Sequence, residues 1–359
     1  MTSEDAICST LAIDDNNPHP RSGNSLVPNL LEKLEVPELR NLLELRKQGW
    51  SDKKFDQAFS AQRALAVAPN RRAKIAWFKM MKDAFGEMND FASFAPISGD
   101  YKFLDLGCCP GGFTSYILSS NPDAKGVGIS LPVQQGGHEY SLEPRLRSRM
   151  KLNWADLTYY KLHPSMHELR GKELQPLPDT YKDFDLVILD SHYLHDLYLS
   201  PVLAQPEPWD NHRLWVSQMI IALRSIKDGG TIVIKLSHVE WTATAQDLYL
   251  LDILSSELRT YKPRKAHTKR GTFYAIAKGV GHGRKGSLKA EFIQKYEDLW
   301  HEISFGGEEG KGRWLAKDDF NFIVSYEELA DEYLERLAEL GKDPWIIQAN
   351  SLRKMLKAT

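Results

Sequence analysis

The sequence predicts an α/β fold in which a mostly parallel, Rossmann-like sheet is covered by helices on both faces. Between residues 72 and 280, short apolar runs alternate with segments of helical periodicity, which is typical of parallel strands joined by crossover helices. The first apolar run ends in a glycine-rich turn that opens a helix. Apolar residues at helical spacings on either side of this region predict helical extensions at both ends of the chain.

The composition is that of a soluble protein with a substantial core. The chain has 359 residues, of which 42% are hydrophobic, and its formal net charge is −2. A nearly neutral protein has no global field to attract a polyanion, so a nucleic-acid partner would need a local basic patch. The sequence shows neither a signal peptide nor an apolar run long enough to cross a membrane. We therefore expect a cytoplasmic or nuclear protein with no membrane partner.

The three cysteines, Cys8, Cys108 and Cys109, do not form a disulfide framework, because neighbouring cysteines rarely bridge each other. This cysteine usage fits a reducing compartment, and the spacing contains no cysteine metal motif.

The N-terminal part divides into a polar, flexible tail over residues 1–27 and a helical extension over residues 28–71. Leucines at helical spacing predict two short helices separated by Pro37. Ser51 and Asp52 can cap a third helix that runs to about Ala66. We expect these helices to pack on the core, and partner binding is the alternative.

The domain of residues 72–280 is predicted to contain six strands and the helices between them. The helices are expected at 77–85, from the glycine turn to about 120, from Asp210 or Asn211 to 226, and over 244–258. The strands are expected at 101–106, 124–129, 150–154, 184–190, 230–235 and 272–277.

The C-terminal part, residues 281–359, is predicted to be a helical appendage. Residues 281–286 are rich in Gly, Arg and Lys and read as a linker. Two amphipathic helices follow, over about 288–303 and 329–340. Asp343 and Pro344 then have the pattern that starts a third helix, to about Lys357.

The run Asp105-Leu-Gly-Cys-Cys-Pro-Gly-Gly-Phe113 lies where an open parallel sheet binds ligands. Its glycines allow positive φ and a close approach of the backbone to a ligand, and the helix amides behind them can hold a carboxylate. A diphosphate would normally call for the G-x-G-x-x-G spacing, which is absent. The turn therefore suits a nucleoside that bears an amino acid, with Asp105 either binding its ammonium or holding the loop.

With these residues the chain resembles the FtsJ-like (RrmJ-type) ribose 2′-O-methyltransferases over roughly residues 72–280. The glycine turn is similar to that family's cofactor loop, and Ala76-Trp-Phe-Lys79 is similar to its first lysine helix. Asp190 and Lys235, each at the end of a strand, match the catalytic aspartate and the second lysine. The resemblance implies a class I S-adenosylmethionine-dependent methyltransferase sandwich, with seven strands of which the last is antiparallel.

The stretches GISLPVQQGGHEYSLEP and MKLNWADLTYY also resemble the flavivirus-type cap methyltransferases, and this match makes Asp156 the adenine contact. The resemblance implies S-adenosyl-L-methionine as the cofactor. The residues expected to bind it are Asp105, Gly107, Cys108, Pro110, Gly111, Gly112, Phe113, Ser130, Asp156 and Asp190.

Two positions depart from the family pattern. Thr272 stands where the family has a fourth catalytic residue, a glutamate, and Asp190-Ser-His-Tyr-Leu-His195 replaces the family's S/C-D-x-x-P loop. We interpret the histidines of this loop as solvated side chains, and we expect no metal site there.

The resemblance assigns catalysis to Lys79, Asp190 and Lys235. Lys235 would be the base or activator of a ribose hydroxyl, Asp190 would orient it, and Lys79 would contribute electrostatic steering.

RNA is the expected substrate. The basic segments 71–74 and 262–270 are candidate phosphate contacts, and the alternative is that they are solvated charged surfaces. Two other functions stay open: a methyltransferase of the same fold acting on a small molecule or a protein, and a catalytically impaired, cofactor-binding scaffold.

Overall fold

The structure, a computed structural model, describes residues 25–50, 70–192, 207 and 209–357. Residues 1–24 of the predicted tail and the helix predicted from Ser51 to Ala66 lie outside these residues. The end of the predicted tail is packed, because Leu26 is fully buried and its N–H donates to the carbonyl of Glu240 at 2.9 Å.

The core of the fold is a seven-stranded sheet in the order β6-β7-β5-β4-β1-β2-β3. Strand β7 is antiparallel to both of its neighbours, and the other pairs are parallel. This topology confirms the predicted sandwich with its antiparallel last strand. The strands are β1 Tyr101–Leu106, β2 Ala124–Ser130, β3 Met150–Trp154, β4 Phe184–Leu189, β5 Ile226–Ser237, β6 Glu257–Tyr261 and β7 Thr272–Lys278.

Alternating side chains of the strands bury the two faces of the sheet in two separate cores. Phe103 packs with α3 (Arg71–Ala92) and α4 (Gly112–Ser120), whereas Leu104 packs with the helices of the opposite face. The opposite face is covered by α5 Asp210–Ser225, α6 Thr242–Leu254 and α7 Lys289–Phe305. Helix α5 begins at Asp210 itself, after Trp209, so neither Asp210 nor Asn211 is the N-cap that the sequence predicted.

The sequence did not predict strand β6, because the pattern of the preceding helix continues to residue 258. Helix α6 ends at Leu254, and Ser255 has an extended backbone with φ −110° and ψ 157°. In β6 the side chains of Leu258 and Thr260 are buried and that of Arg259 between them is exposed, which is the period of a strand. Five residues are too few for this alternation to be distinguished from the end of a helix by pattern alone.

The terminal helices extend the second face of the sandwich. At the N-terminus these are α1 Val27–Glu32 and α2 Pro37–Trp50, which confirms the two helices separated near Pro37. At the C-terminus Tyr326–Glu328 and a π-helical turn, Leu329–Tyr333, lead into α8 Leu334–Lys357. Leu39 of α2 and Leu337 of α8 are fully buried in the same core as the inner strands, so the amphipathic faces pack within the molecule. None of the described helices is long and apolar enough to cross a membrane.

Helix α8 is continuous through Pro344, where the sequence predicted that a new helix begins. A proline inside a helix has no N–H for the carbonyl four residues earlier, here that of Leu340. The side-chain hydroxyl of Thr260 donates to this carbonyl at 2.5 Å. The helix continues because another element supplies the missing donor.

Residues 281–286 form a packed turn rather than the predicted linker. The N–H groups of Gly281 and Gly283 donate to the carbonyl of Leu254, at 2.8 and 3.1 Å, and that of Lys285 donates to Ile253 at 2.8 Å. The turn is therefore fixed to the end of α6.

Glu240, five residues beyond Lys235, joins both ends of the chain to the sheet. Its carboxylate binds Arg46 of α2 at 2.6 Å, the indole N–H of Trp345 of α8 at 2.9 Å and His238 at 3.2 Å. Burial alone would raise the pKa of Glu240, but Arg46 and His238 hold it well below its usual range. The terminal helices thus share a buried charged contact with the segment after β5.

Candidate functional site

A cavity of about 380 Å³ opens at the carboxyl ends of the first four strands. Its walls include Gly107 after β1, Ser130 at the end of β2, Asp156 after β3 and Asp190 after β4. These four predicted cofactor positions lie together at the edge where parallel α/β sheets bind ligands.

The glycine turn is shaped by close backbone contacts. Gly107 has φ +86°, and a Cβ there would lie 2.5–2.8 Å from atoms of Ser191. A Cβ on Gly112 would lie 2.8 Å from the Cβ of Met81, because α3 crosses the start of α4 at this point. Gly111 has room for a side chain, but its φ of +110° is unfavourable for any other residue.

Asp105 lies beneath the turn rather than in the cavity wall. It is 1% exposed and accepts a hydrogen bond from the Thr114 hydroxyl at 2.7 Å. Burial raises the pKa of Asp105 to about 7, the Thr114 hydrogen bond opposes this rise, and the charge of Asp190 adds to it. Of the two roles left open by the sequence, this geometry favours holding the loop against α4.

Other predicted turn residues are packed under the loop. The ring of Phe113 lies 4.9 Å from that of Phe85 and 5.8 Å from that of Tyr274, and Cys108 is buried in the same core. The cysteine in the cavity wall is Cys109, which the sequence analysis did not select. Hydrogen bonds with Cys108 and Ser130 lower the pKa of Cys109 against the effect of burial. Pro110, Gly111 and Gly112 are not among the described residues that line the cavity.

Asp156 caps the short turn Leu157–Tyr159. Its Oδ1 accepts from the N–H of Thr158 at 2.9 Å and from the Thr158 hydroxyl at 2.7 Å. The carboxylate is thereby held at the cavity wall, where the resemblance places an adenine contact.

The far wall of the cavity is a charged cluster that sequence reasoning missed. Arg170, in the turn between Glu168–Leu169 and Lys172–Glu173, binds both carboxylate oxygens of Asp210, at 2.7 and 2.8 Å. Arg213, one turn further along α5, lies 3.3 Å from Asp210 and donates to the Thr158 hydroxyl at 3.3 Å. No sequence motif indicates this cluster, because its residues come from separate elements of the fold.

Asp190 and Lys235 form the ion pair of the site. Asp190 follows β4 and Lys235 lies near the end of the neighbouring β5. The Lys235 ammonium lies 2.7 Å from Oδ1 of Asp190 and 3.1 Å from its main-chain carbonyl. The hydroxyl of Tyr274, which pairs with Lys235 across β5 and β7, lies 3.5 Å from the same Oδ1. The structure therefore brings two of the three predicted catalytic residues into direct contact.

Lys79 stands apart from this pair. Its side chain is exposed on α3, outside the residues that line the cavity, and within the described residues it makes no hydrogen bond or ion pair. Thr272, at the position of the family's glutamate, is 3% exposed and pairs with Ser237 at the start of β7.

His192 is half-buried beside the ion pair, whereas the sequence predicted a solvated loop histidine. His195 lies outside the described residues. Nδ1 of His192 is 2.9 Å from the Lys235 ammonium and 3.1 Å from the carbonyl of Asp190. Burial and the charge of Lys235 lower the pKa of His192 well below its ordinary value. Its position two residues after the strand-end aspartate was the available signal.

The two basic segments differ in accessibility. Arg71 and Arg72 are exposed at the start of α3, and Lys74 pairs with Glu139 at 3.0 Å. In the segment 262–270, Lys262 is buried and donates to the carbonyls of Arg270 and Thr272, each at 2.5 Å. Arg270 is buried as well, so this segment is not the continuous basic surface that the sequence suggested.

The sequence of this chain is similar to a known protein family. The sequence profile of the FtsJ-like methyltransferases matches residues 76–280, more than half of the chain. No curated protein matches the sequence significantly.

Several solved structures are similar at low identity. A protein of Plasmodium falciparum described as a ribosomal RNA methyltransferase is 17% identical, with 55% of this chain and 96% of that chain covered and a TM-score of 0.37. The pyocyanin biosynthetic protein PhzM is 17% identical, with 63% and 64% covered and a TM-score of 0.37. A TehB-like methyltransferase of Corynebacterium glutamicum is 17% identical, with 63% and 97% covered and a TM-score of 0.32.

Proposed function

Because the chain belongs to the FtsJ-like methyltransferase family, we propose that it methylates the 2′-hydroxyl of a ribose in RNA. Its cofactor is S-adenosyl-L-methionine, as in the family. What the proposal adds to family membership is the identity of the methyl acceptor, an RNA ribose. The observation that carries it is the ion pair of Asp190 and Lys235 inside the cavity that also contains Gly107, Ser130 and Asp156.

The cavity residues fit the cofactor. Gly107 lets the turn pack closely against Ser191 in the cavity wall, and Asp156 holds a carboxylate at the adenine position implied by the resemblance. Gly107, Cys109, Ser130 and Asp156 would hold the nucleoside and its amino-acid tail. When bound, S-adenosylmethionine supplies an electrophilic methyl carbon on a sulfonium, which an oxygen can attack in line.

The residues of the ion pair can activate a hydroxyl. A ribose hydroxyl is a weak acid, and a positive charge beside it lowers its pKa. Lys235 brings this charge to the cavity, where its ammonium contacts Oδ1 and the main-chain carbonyl of Asp190. The carboxylate of Asp190, 14% exposed and in the cavity wall, is the group that takes the hydroxyl proton as the new oxygen–carbon bond forms.

A radiolabelling experiment tests the proposal. The full chain is incubated with S-adenosylmethionine labelled on its methyl group and, separately, with total RNA, a protein extract and a metabolite fraction. We expect label in RNA that appears, after digestion to nucleosides, as 2′-O-methylated nucleosides. Label in proteins, in metabolites or on RNA bases would contradict the proposal.

A small hydroxyl-bearing molecule is the second candidate acceptor. It is favoured by the burial of Lys262 and Arg270, which removes two cations from the surface available to phosphates. Exposed Arg71 and Arg72 support the RNA acceptor instead. The metabolite arm of the labelling experiment separates these two candidates.

A further inference from the structure

We propose that His192 is a further catalytic residue, whose Nε2–H donates a hydrogen bond to the acceptor oxygen and makes the site selective for oxygen over nitrogen acceptors. The inference rests on the proposed function, methyl transfer at the Asp190 and Lys235 pair. It assigns a role to a side chain that replaces part of the family's usual loop.

The position of His192 brings it to the reacting end of the cavity. It follows Asp190 by two residues, lines the same cavity, and reaches the Lys235 ammonium with Nδ1 at 2.9 Å. With Oδ1 and the carbonyl of Asp190, Nδ1 is the third acceptor around Lys235. The ammonium therefore lies within 3.1 Å of three acceptor atoms inside the site.

These contacts fix which ring nitrogen of His192 carries the proton. An ammonium offers only donors, so Nδ1 accepts and the proton of the neutral ring is on Nε2. The carbonyl of Asp190 lies 3.1 Å from Nδ1 and could accept from it, but a proton on Nδ1 would face the Lys235 ammonium at 2.9 Å. Burial and the positive charge of Lys235 keep the ring neutral, so Nε2 acts as a donor and not as a base.

This donor has no partner among the residues that the structure describes. Nε2 of His192 is buried and forms no hydrogen bond within the described part of the chain. Buried donors are nearly always paired, and an unpaired one in a cavity wall indicates a ligand atom that would complete it. A second cavity residue, His138 from the loop after β2, also has a buried Nε2 without a hydrogen-bond partner in the described chain.

A donor directed at the acceptor atom distinguishes oxygen from nitrogen. A hydroxyl oxygen has two lone pairs, so one can accept from Nε2–H while the other forms the bond to the methyl carbon. The carbon–sulfur bond breaks with its electron pair left on sulfur, and the hydroxyl proton passes to Asp190. A neutral amine has a single lone pair, which the Nε2–H group would occupy. Nε2–H therefore stabilises charge that develops on an oxygen and obstructs attack by an amine.

A pair of substitutions separates contact with the substrate from support of Lys235. His192→Gln places an amide donor near the position of Nε2, whereas His192→Asn places an acceptor near Nδ1 and leaves the Nε2 position empty. We expect kcat to fall by about 10²-fold in His192→Asn, the usual scale for losing one such donor, and by about tenfold or less in His192→Gln. His301→Asn, on α7 and outside the cavity wall, is the matched control.

Two outcomes of this comparison overturn the proposal. Full activity in His192→Asn with loss in His192→Gln would make His192 a positioning residue that acts through Lys235. A matching loss of S-adenosylhomocysteine affinity in His192→Asn, measured by calorimetry, would assign Nε2 to the cofactor instead.

A second experiment uses the unaltered protein, so it does not depend on the folding of a variant. An RNA oligonucleotide carrying the mapped target nucleotide is compared with the same oligonucleotide carrying a 2′-amino group. We expect methylation of the hydroxyl and at least about 10²-fold slower methylation of the amine. Equal rates would refute the selectivity. Failure to methylate the hydroxyl would instead refute the proposed function, so the two failures are distinguishable.

Discussion

Because Asp105 is buried, we expect its contribution to the stability of the protein to decline as pH rises. The variant Asp105→Asn should remove this dependence. The carboxyl is buried beneath the glycine turn, and its pKa is raised from 3.8 to about 7. Between these two values the folded protein keeps a proton that the unfolded chain releases. Stability contributed by this group is therefore fully present below about pH 4, declines as pH rises, and is lost above about pH 7.

The magnitude follows from the size of the pKa change. A rise from 3.8 to about 7 corresponds to about 4 kcal/mol of unfolding free energy. Asparagine cannot ionise, and its amide oxygen can still accept the hydrogen bond from Thr114. The variant should therefore match the wild type near pH 4 and exceed its stability increasingly up to about pH 8.

Urea unfolding of both proteins at several pH values between 4 and 8 measures this difference. The other titrating groups are shared, so they cancel when the two curves are subtracted. A constant difference across the range would refute a buried, protonated Asp105.

The same variant distinguishes the two roles considered for Asp105. If the carboxylate binds the ammonium of the cofactor, binding of S-adenosylhomocysteine at pH 6 must release a proton from the wild type and not from Asp105→Asn. If Asp105 only holds the loop through Thr114, as its burial favours, proton release should be equal in both. Calorimetry in buffers of different ionisation enthalpy measures the released protons.

Three further predictions address the site and the fold. Gly107→Ala should weaken S-adenosylhomocysteine binding, measured by calorimetry, at least about tenfold, or about 1.4 kcal/mol, because the new Cβ would meet Ser191 at 2.5–2.8 Å. Unchanged affinity would contradict the assignment of the cavity to the cofactor. Lys235→Met should slow methyl transfer by about 10² or more while S-adenosylhomocysteine still binds, and wild-type turnover would exclude the mechanism. Thr260→Val should lower the unfolding free energy by about 1–3 kcal/mol, because it leaves the Leu340 carbonyl without its donor, whereas Thr260→Ser should not.

The sequence was most informative where one physical pattern determines structure. The glycine turn, the apolar strands and the strand-end residues Asp190 and Lys235 all lie where the pattern predicted, because parallel strands place their carboxyl ends at one edge. The helix through Pro344 could not be predicted, because its missing donor comes from Thr260, far away in the chain. The sequence around Pro344 does not indicate that such a partner exists.

Charged residues were the other source of error. Lys262 looked like part of a basic surface, yet its ammonium binds two main-chain carbonyls in the interior. Lys79 is exposed and does not line the cavity, so its catalytic role stays a prediction. His192, predicted to be solvated, is half-buried and contacts Lys235. In each case composition identifies the residue type, whereas burial depends on which elements come together in three dimensions.

The shared carboxylate of Glu240 has a consequence for how much of the chain is needed. A shortened protein consisting of the family-matching residues 76–280 would retain Glu240 and lose both Arg46 and Trp345. It would also uncover the apolar surface against which Leu39 and Leu337 pack in the core of the inner strands. The smallest segment that is recognisable as this family is therefore shorter than the smallest segment that can stand alone. A change at Arg46 should therefore destabilise the protein although that residue lies outside the family match.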